Sequence, residues 1–180
     1  MTIMNTQDNF GVVAKLLHWI IGVMIITLLC VGFYMTDLVN SAEKFQIYAI
    51  HKSFGTIVLD LVVLRMIWRF LNRSPMLPDT VPYLHKIGYK INIFFMYLCM
   101  LTMPISGILM TLYFGMDVMV FNIHVIDHFA ANENIAHIFR MIHSYTAILF
   151  SLIILGHIAF ALYHHFIKKD SLLVRIIKNV

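Results

Sequence analysis

The chain has 180 residues, of which 61% are hydrophobic and only 12% are charged. This composition excludes a soluble globular domain and indicates a membrane protein, because a helix needs about 20 apolar residues to cross a hydrocarbon core of ~30 Å. A net charge of +4 would suggest acidic partners for a soluble protein. In a membrane protein the distribution of the basic residues is more informative than the net charge. We expect this protein to contact lipid and to have no nucleic-acid partner.

Apolar runs predict four membrane-spanning helices in a single all-α membrane domain that covers residues 1–180. The predicted spans are about 16–35, 48–68, 91–114 and 142–166. Three prolines, which cannot continue a helix, mark the loop between the second and third spans: Pro75, Pro78 and Pro82. Residues 118–140 are too charged to span, so we expect a helix or loop that lies on the outer membrane surface.

The basic residues predict the orientation of these spans. Ten of the thirteen fall on one side: Lys15, Arg65, Arg69, Arg73, Lys86, Lys90, Lys168, Lys169, Arg175 and Lys178. Lys44, Lys52 and Arg140 fall on the other side. Because cytoplasmic segments carry an excess of Lys and Arg, both termini are expected in the cytoplasm.

Two histidines in the fourth span are the most informative residues of the chain. His143 and His157 are fourteen residues apart, which places them within about 40° of each other around a helix and roughly 21 Å apart along it. Ionisable side chains inside a bilayer are costly, so a functional role is the default interpretation. Two stacked metal centres would need this spacing.

Two further histidines lie at matching depths in other spans. His18 opens the first span on the cytoplasmic side, and His51 opens the second span on the outer side. We therefore pair His18 with His157 and His51 with His143. Imidazole is a good axial ligand for haem iron, and facing helices can supply one ligand each. The chain has no C-x-x-C-H motif, so any haem would be bound noncovalently.

The residue four positions after each of these histidines is small. A porphyrin bound to a helical histidine covers the adjacent turn, where a bulky side chain would clash. The four residues are Gly22, Gly55, Ala147 and Ala161. The other six histidines do not share this pattern, which favours haem binding by these four.

Two other interpretations of the histidines are open at this point. A single membrane histidine often makes only a hydrogen bond to a neighbouring helix or anchors the helix end. A haem-free metal transporter also lines its path with histidines, but it usually adds carboxylates nearby. Asp60 is the candidate carboxylate, and it points about 180° away from His51 around the second span.

Haem propionates would need cationic partners. Arg65 and Arg69 follow His51 on the same helical face, at and just below the depth of the inner haem. Lys52 and Arg140 are the outer counterparts. Arginines at a helix end can also simply anchor the helix in the lipid headgroups. His164 and His165, at the inner interface, can be interpreted as anchors in the same way.

Motifs along nearly the whole chain resemble one family, the small bacterial cytochromes b561. They are His18-Trp19, HKSFG at 51–55 followed by Arg65 and Arg69, PISG at 104–107, then His143, His157, His164-His165, KDSLL at 169–173 and Arg175. Ser144 departs from the family, which often has an acid there.

The resemblance implies a four-helix bundle that encloses two haem b groups in the bacterial inner membrane, with the ligand pairs given above. Family members pass electrons between the outer surface and the quinone pool, and one is similar to a superoxide oxidase that reduces ubiquinone. Quinone is expected near the inner haem, beside His164. The acidic outer loop weakens the case for capture of superoxide anion. A membrane cytochrome subunit that serves a separate dehydrogenase is the alternative.

Overall fold

A computed structural model describes residues 2–77 and 81–178, so Pro78 of the predicted loop lies outside the described residues. Four long helices make up most of the protein: α1 Val12–Asp37, α2 Ala42–Leu71, α3 Tyr83–Tyr113 and α4 Glu133–Tyr163. A π-helical turn, His164–Lys168, continues α4, and a one-turn helix, α5, covers Val174–Ile177. The prediction of a mostly helical protein is confirmed.

The helices are longer than the predicted spans because polar residues cap them outside the apolar runs. The Ser41 hydroxyl accepts a hydrogen bond from Lys44 N at 3.2 Å at the start of α2. Asn132 Oδ1 accepts one from Ile135 N at 3.1 Å, and α4 begins at Glu133, well before the predicted start at residue 142. Such caps satisfy backbone N–H groups of the first turn, which hydropathy alone does not detect.

Three helical segments of the described chain are long and apolar enough to cross a membrane: Val12–Asp37, Tyr83–Tyr113 and Glu133–Lys168. Helix α2 has the length but not the composition, because its second half still carries Asp60, Arg65 and Arg69. The helices therefore support three of the four predicted spans directly. Large apolar side chains are exposed on these helices, as a lipid environment requires.

A small β-hairpin follows α3 and corrects the all-α expectation. Strands β1 Val118–Val120 and β2 Ile123–Ile126 pair antiparallel, so the segment 118–140 is neither one surface helix nor one loop. Phe121 and Asn122 form the turn with φ values of 46° and 68°. A two-residue turn with positive φ matches the twist of paired strands, and the β-branched residues around it favour extended backbone.

The hairpin is fixed at its turn and at its open end. Phe121 N donates a hydrogen bond to the buried Ser53 hydroxyl of α2 at 3.0 Å. At the open end, Asp117 Oδ1 accepts hydrogen bonds from His128 N at 2.9 Å and His128 Nδ1 at 2.7 Å. These bonds from His128 hold the pKa of the Asp117 carboxyl below its usual range.

The chain divides into two compact units, and each draws on all four long helices. Unit 1 contains Met1–Ile20, Val63–Leu98 and Phe150–Val180. Its buried side chains include Phe150 and His164. Unit 2 contains Ile21–Val62 and Cys99–Leu149, and its core includes Ile21, Val62 and Ala136.

Candidate functional site

Unit 1 contains the first histidine pair, His18 on α1 and His157 on α4. The ring centroids are 6.2 Å apart and the ring planes are inclined by 58°. Both side chains are half-buried. Trp19 packs edge-on against His18 at 5.3 Å between centroids, and its indole N–H donates to the Ile176 carbonyl at 3.2 Å.

Unit 2 contains the second pair, His51 on α2 and His143 on α4. Their ring centroids are 6.4 Å apart with an interplanar angle of 77°. Both side chains are again half-buried. In each predicted pair, two imidazole rings from different helices therefore lie next to each other.

The separations suit a metal ion held between the rings. Two imidazoles that bind one ion from opposite sides, through bonds of about 2 Å, place their ring centroids roughly 6 Å apart. The observed 6.2 Å and 6.4 Å match this requirement. A direct hydrogen bond between the two rings would bring them closer than that.

Two of the four histidines have a nitrogen left over for a metal. His143 Nδ1 donates to the Met103 carbonyl of α3 at 2.8 Å. His157 Nδ1 donates to Asn92 Oδ1, also of α3, at 3.2 Å. Because these oxygens only accept, each neutral ring carries its proton on Nδ1 and has the lone pair of Nε2 free. A hydrogen bond of this kind is the usual support of a metal-binding histidine.

His51 is oriented by packing instead. Its Nδ1 is buried and has no hydrogen-bond partner among the described residues. A methyl group at Gly32 of α1 would lie 3.4 Å from His51 Cε1, which is van der Waals contact. A methyl group at Gly107 of α3 would lie only 3.1 Å from His143 Cε1. Glycine at 107 thus permits the close approach of α3 to the second pair.

His18 is held differently from the other three. Arg65 Nη2 lies 3.1 Å from His18 Nδ1, and a guanidinium can only donate, so Nδ1 is the acceptor here. The same guanidinium donates from Nε to the Tyr97 hydroxyl at 3.3 Å. Arg69 lies over the Tyr97 ring at 5.7 Å. Arg65 therefore contacts the first pair directly, and both predicted arginines of α2 contact Tyr97.

The glycines four positions after His18 and His51 leave open space. Apart from the adjacent helix backbone, no atom of the described residues lies within 4 Å of where a methyl group at Gly22 or Gly55 would be. A flat cofactor beside the histidine would need this space. The residues present thus fit a haem at each pair, because the two rings have the required separation and the adjacent glycine leaves space for a flat ring.

The remaining predicted site residues lie beside the pairs or further along the chain. Lys52 is half-buried on α2, next to His51. His164 is fully buried, so it is not a simple interfacial anchor. Its Nδ1 bonds to the Asp170 carboxylate, and its Nε2 lies 3.1 Å from His85 Nδ1. The three side chains form one hydrogen-bonded chain in unit 1.

Sequence reasoning missed the residues that orient the histidines. They are Asn92, Met103 and Tyr97 on α3, and Asp170 and His85 around His164. A backbone carbonyl has no sequence signature, and neither asparagine nor tyrosine marks itself as a partner. Asp170 had a weak signal in the KDSLL motif.

The transporter interpretation gains no support from the site. Asp60 is exposed on α2, and its side chain makes no hydrogen bond within the described part of the chain. Neither histidine pair contacts a carboxylate within the described residues. A cation path normally needs both kinds of ligand.

Comparison with known proteins finds similarity to one family along most of the chain. A family model described as prokaryotic cytochrome b561 matches residues 9–179. A curated relative, "Cytochrome b561 homolog 2" of Escherichia coli (strain K12), is 26% identical over 182 aligned residues. The alignment covers 98% of this chain and 95% of the relative.

Proposed function

Because this chain belongs to the prokaryotic cytochrome b561 family, we propose that it is a dihaem cytochrome b that carries electrons between an outer-side donor and the quinone pool of the bacterial inner membrane. Membership of this family identifies the protein as a membrane cytochrome that takes part in electron transfer. The observation that supports two haems is the presence of two histidine pairs with nearly equal separations, 6.2 Å and 6.4 Å.

In this proposal His18 and His157 hold one haem b, and His51 and His143 hold the other. Bound between two histidines, haem iron takes up and releases one electron at a time. The protein contributes the ligand nitrogens, and Met103 and Asn92 fix two of the rings through their Nδ1 protons. Fixed rings move little when the charge of the centre changes, which favours fast electron transfer.

Arg65, Arg69 and Lys52 are the proposed partners of the haem propionates. If His18 binds iron through Nε2, its Nδ1 must carry the proton, and Arg65 can no longer donate to it. The guanidinium is then released next to the site, where a carboxylate is the natural partner. Tyr97 keeps Arg65 and Arg69 close to that position.

We place the quinone, most simply ubiquinone, beside unit 1 and His164. Reduction of a quinone to a quinol takes up two protons as well as two electrons, so the site must supply protons. The hydrogen-bonded chain of Asp170, His164 and His85 offers titratable groups in the unit that holds the first pair. This supports quinone chemistry in unit 1.

The proposed orientation places both termini in the cytoplasm and α2 in the membrane as the fourth span. The basic residues support it, with ten of thirteen on the cytoplasmic side. The charges of α2 do not exclude a span, because Arg65 is hydrogen-bonded within the protein.

A membrane subunit that serves a separate dehydrogenase is the second candidate. Asp117 and Asp127 are exposed carboxylates on the hairpin, which in the proposed orientation faces outward. They repel a superoxide anion and favour a cationic or protein donor. Superoxide:quinone oxidoreductase activity is therefore the less favoured form of the proposal.

The decisive experiment measures haem content and reactivity together. A pyridine-haemochrome assay on the purified chain should give two haem b groups, and the oxidised protein should be low-spin and six-coordinate. The reduced protein should be reoxidised rapidly by a soluble ubiquinone analogue. Haem content of one or zero would reject the dihaem proposal, and two haems without quinone reactivity would reject the quinone assignment alone.

A further inference from the structure

A second group of metal-binding side chains lies at the open end of the β-hairpin and includes none of the four paired histidines. We propose that Asp117, His124 and Asp127 form a binding site for a divalent transition-metal ion such as Zn²⁺. One ligand atom from each residue lies within 4.8 Å of the others. The proposal does not depend on the proposed electron-transfer function.

The distances fit a tetrahedral ion. His124 Nε2 lies 3.6 Å from Asp117 Oδ2 and 3.2 Å from Asp127 Oδ1. Ligand atoms bound to a tetrahedral zinc ion through bonds of about 2.0–2.1 Å are roughly 3.3 Å apart. The two separations that involve His124 are therefore already close to this value, and the two carboxylates lie within 4.8 Å of each other.

A β-bulge brings the three ligands to one face of the hairpin. Side chains alternate along a strand, so His124 and Asp127, three residues apart, would normally point to opposite faces. The register shifts between Val118 and Met119, since Val118 pairs with Ile126 and Met119 pairs with His124. The extra residue on the second strand restores His124 and Asp127 to the same side.

Asp117 is already positioned as a ligand. Its Oδ1 is held by two donors, His128 N at 2.9 Å and His128 Nδ1 at 2.7 Å. The other oxygen, Oδ2, is the one that faces His124. Metal-binding carboxylates are commonly held in this way through the oxygen that does not bind the ion, so His128 is a positioning residue.

The hairpin is a fixed scaffold for these ligands. Its turn is bonded to Ser53, a residue that is only 3% exposed, and the Phe121 ring packs edge-on against Phe54 at 5.2 Å between centroids. After the hairpin, Asn132 N donates to the Tyr113 carbonyl at 2.9 Å. A site on a held hairpin pays less ordering entropy when it binds an ion.

The ligand set selects the class of ion. One imidazole and two carboxylates suit zinc and its neighbours, whereas calcium and magnesium prefer oxygen ligands alone. Two carboxylates balance the charge of a divalent ion. With side chains exposed by 44% at His124, 38% at Asp117 and 92% at Asp127, the ion is reached directly from solvent. Three protein ligands leave a fourth position open for water or a small ligand.

The test is zinc binding to the purified, haem-loaded full chain, titrated with Zn²⁺ alone and followed by calorimetry. We expect one ion per chain with a Kd of about 10 µM or tighter. Asp127→Asn should weaken binding by about tenfold or more, and His124→Ala should do the same. Asp127→Asn leaves the fold intact because that side chain is almost fully exposed.

Two variants serve as matched controls. Asp37→Asn makes the same change at an exposed residue at the end of α1, and His137→Ala removes an exposed histidine of α4. Both should bind zinc like the wild type. Absence of zinc binding below a Kd of about 100 µM in the wild type, or equal binding by Asp127→Asn and the wild type, overturns the proposal.

Discussion

His143 Nδ1 donates a hydrogen bond of 2.8 Å to the carbonyl of Met103, so a backbone atom of α3 sets the orientation of a histidine on α4. The same stretch of α3 approaches the ring so closely that a methyl group at position 107 would crowd it. The second pair therefore depends on α3, although α3 supplies neither of its histidines.

Gly107→Ala tests this dependence. The added methyl group would lie 3.1 Å from His143 Cε1 and 3.2 Å from Nδ1, so the ring must shift by a few tenths of an ångström. We expect the electron paramagnetic resonance signal of the His51–His143 haem to change while the other signal stays. Gly88→Ala is the control, because a methyl group there meets no described atom within 4 Å. An unchanged spectrum in Gly107→Ala would show that the ring is positioned otherwise.

The four ligand variants should fall into two groups. His18→Ala and His157→Ala should each remove the same redox component, because they face each other at 6.2 Å. His51→Ala and His143→Ala, whose rings are 6.4 Å apart, should each remove the other component. Potentiometric titration of the single variants measures this. Loss of the same component in His18→Ala and His51→Ala would refute the pairing.

Arg65→Gln should lower the midpoint potential of the His18–His157 haem by some tens of millivolts, because a nearby positive charge favours the reduced state. The guanidinium now contacts His18 at 3.1 Å, so its charge lies next to that centre. The potential of the other haem should stay the same. Arg73→Gln, beyond the end of α2, is the control for a general change in charge. Equal shifts in both haems would exclude a local role.

Asp170→Asn should slow quinone reduction while both haem spectra remain. The Asp170 carboxylate accepts the Nδ1 proton of the buried His164, and an amide keeps the shape but not the charge or the proton affinity. The free energy of unfolding should fall by about 1–3 kcal/mol, because the hydrogen bond between residue 170 and the buried His164 weakens. Stopped-flow reoxidation by a soluble ubiquinone separates the two effects.

Asp8→Asn, at an exposed residue near the N-terminus in the same unit, is the matched control for that experiment. A normal rate of quinone reduction in Asp170→Asn, with lower thermal stability, would mean that the Asp170–His164–His85 chain only holds the structure together.

The amino-acid sequence by itself determined the class of protein and its histidine pairs. Composition indicates membrane-spanning helices, because the free energy of transferring a side chain into lipid depends mainly on the residue type. Helical periodicity relates His143 to His157 without knowledge of the fold, and the small residues Gly22 and Gly55 could be recognised by position. The family motifs indicated that the cofactor is a b-type haem.

Only the tertiary structure decided what orients those histidines and what lies outside the spans. Asn92 and the Met103 carbonyl reach their histidines over 65 and 40 residues of chain, and such distant contacts leave no periodic signal in the sequence. The bulge that brings Asp117, His124 and Asp127 to one face depends on strand register. A shift of one residue reverses the face of every side chain, and the turn that sets the register, at Phe121 and Asn122, is itself bonded to Ser53 of α2.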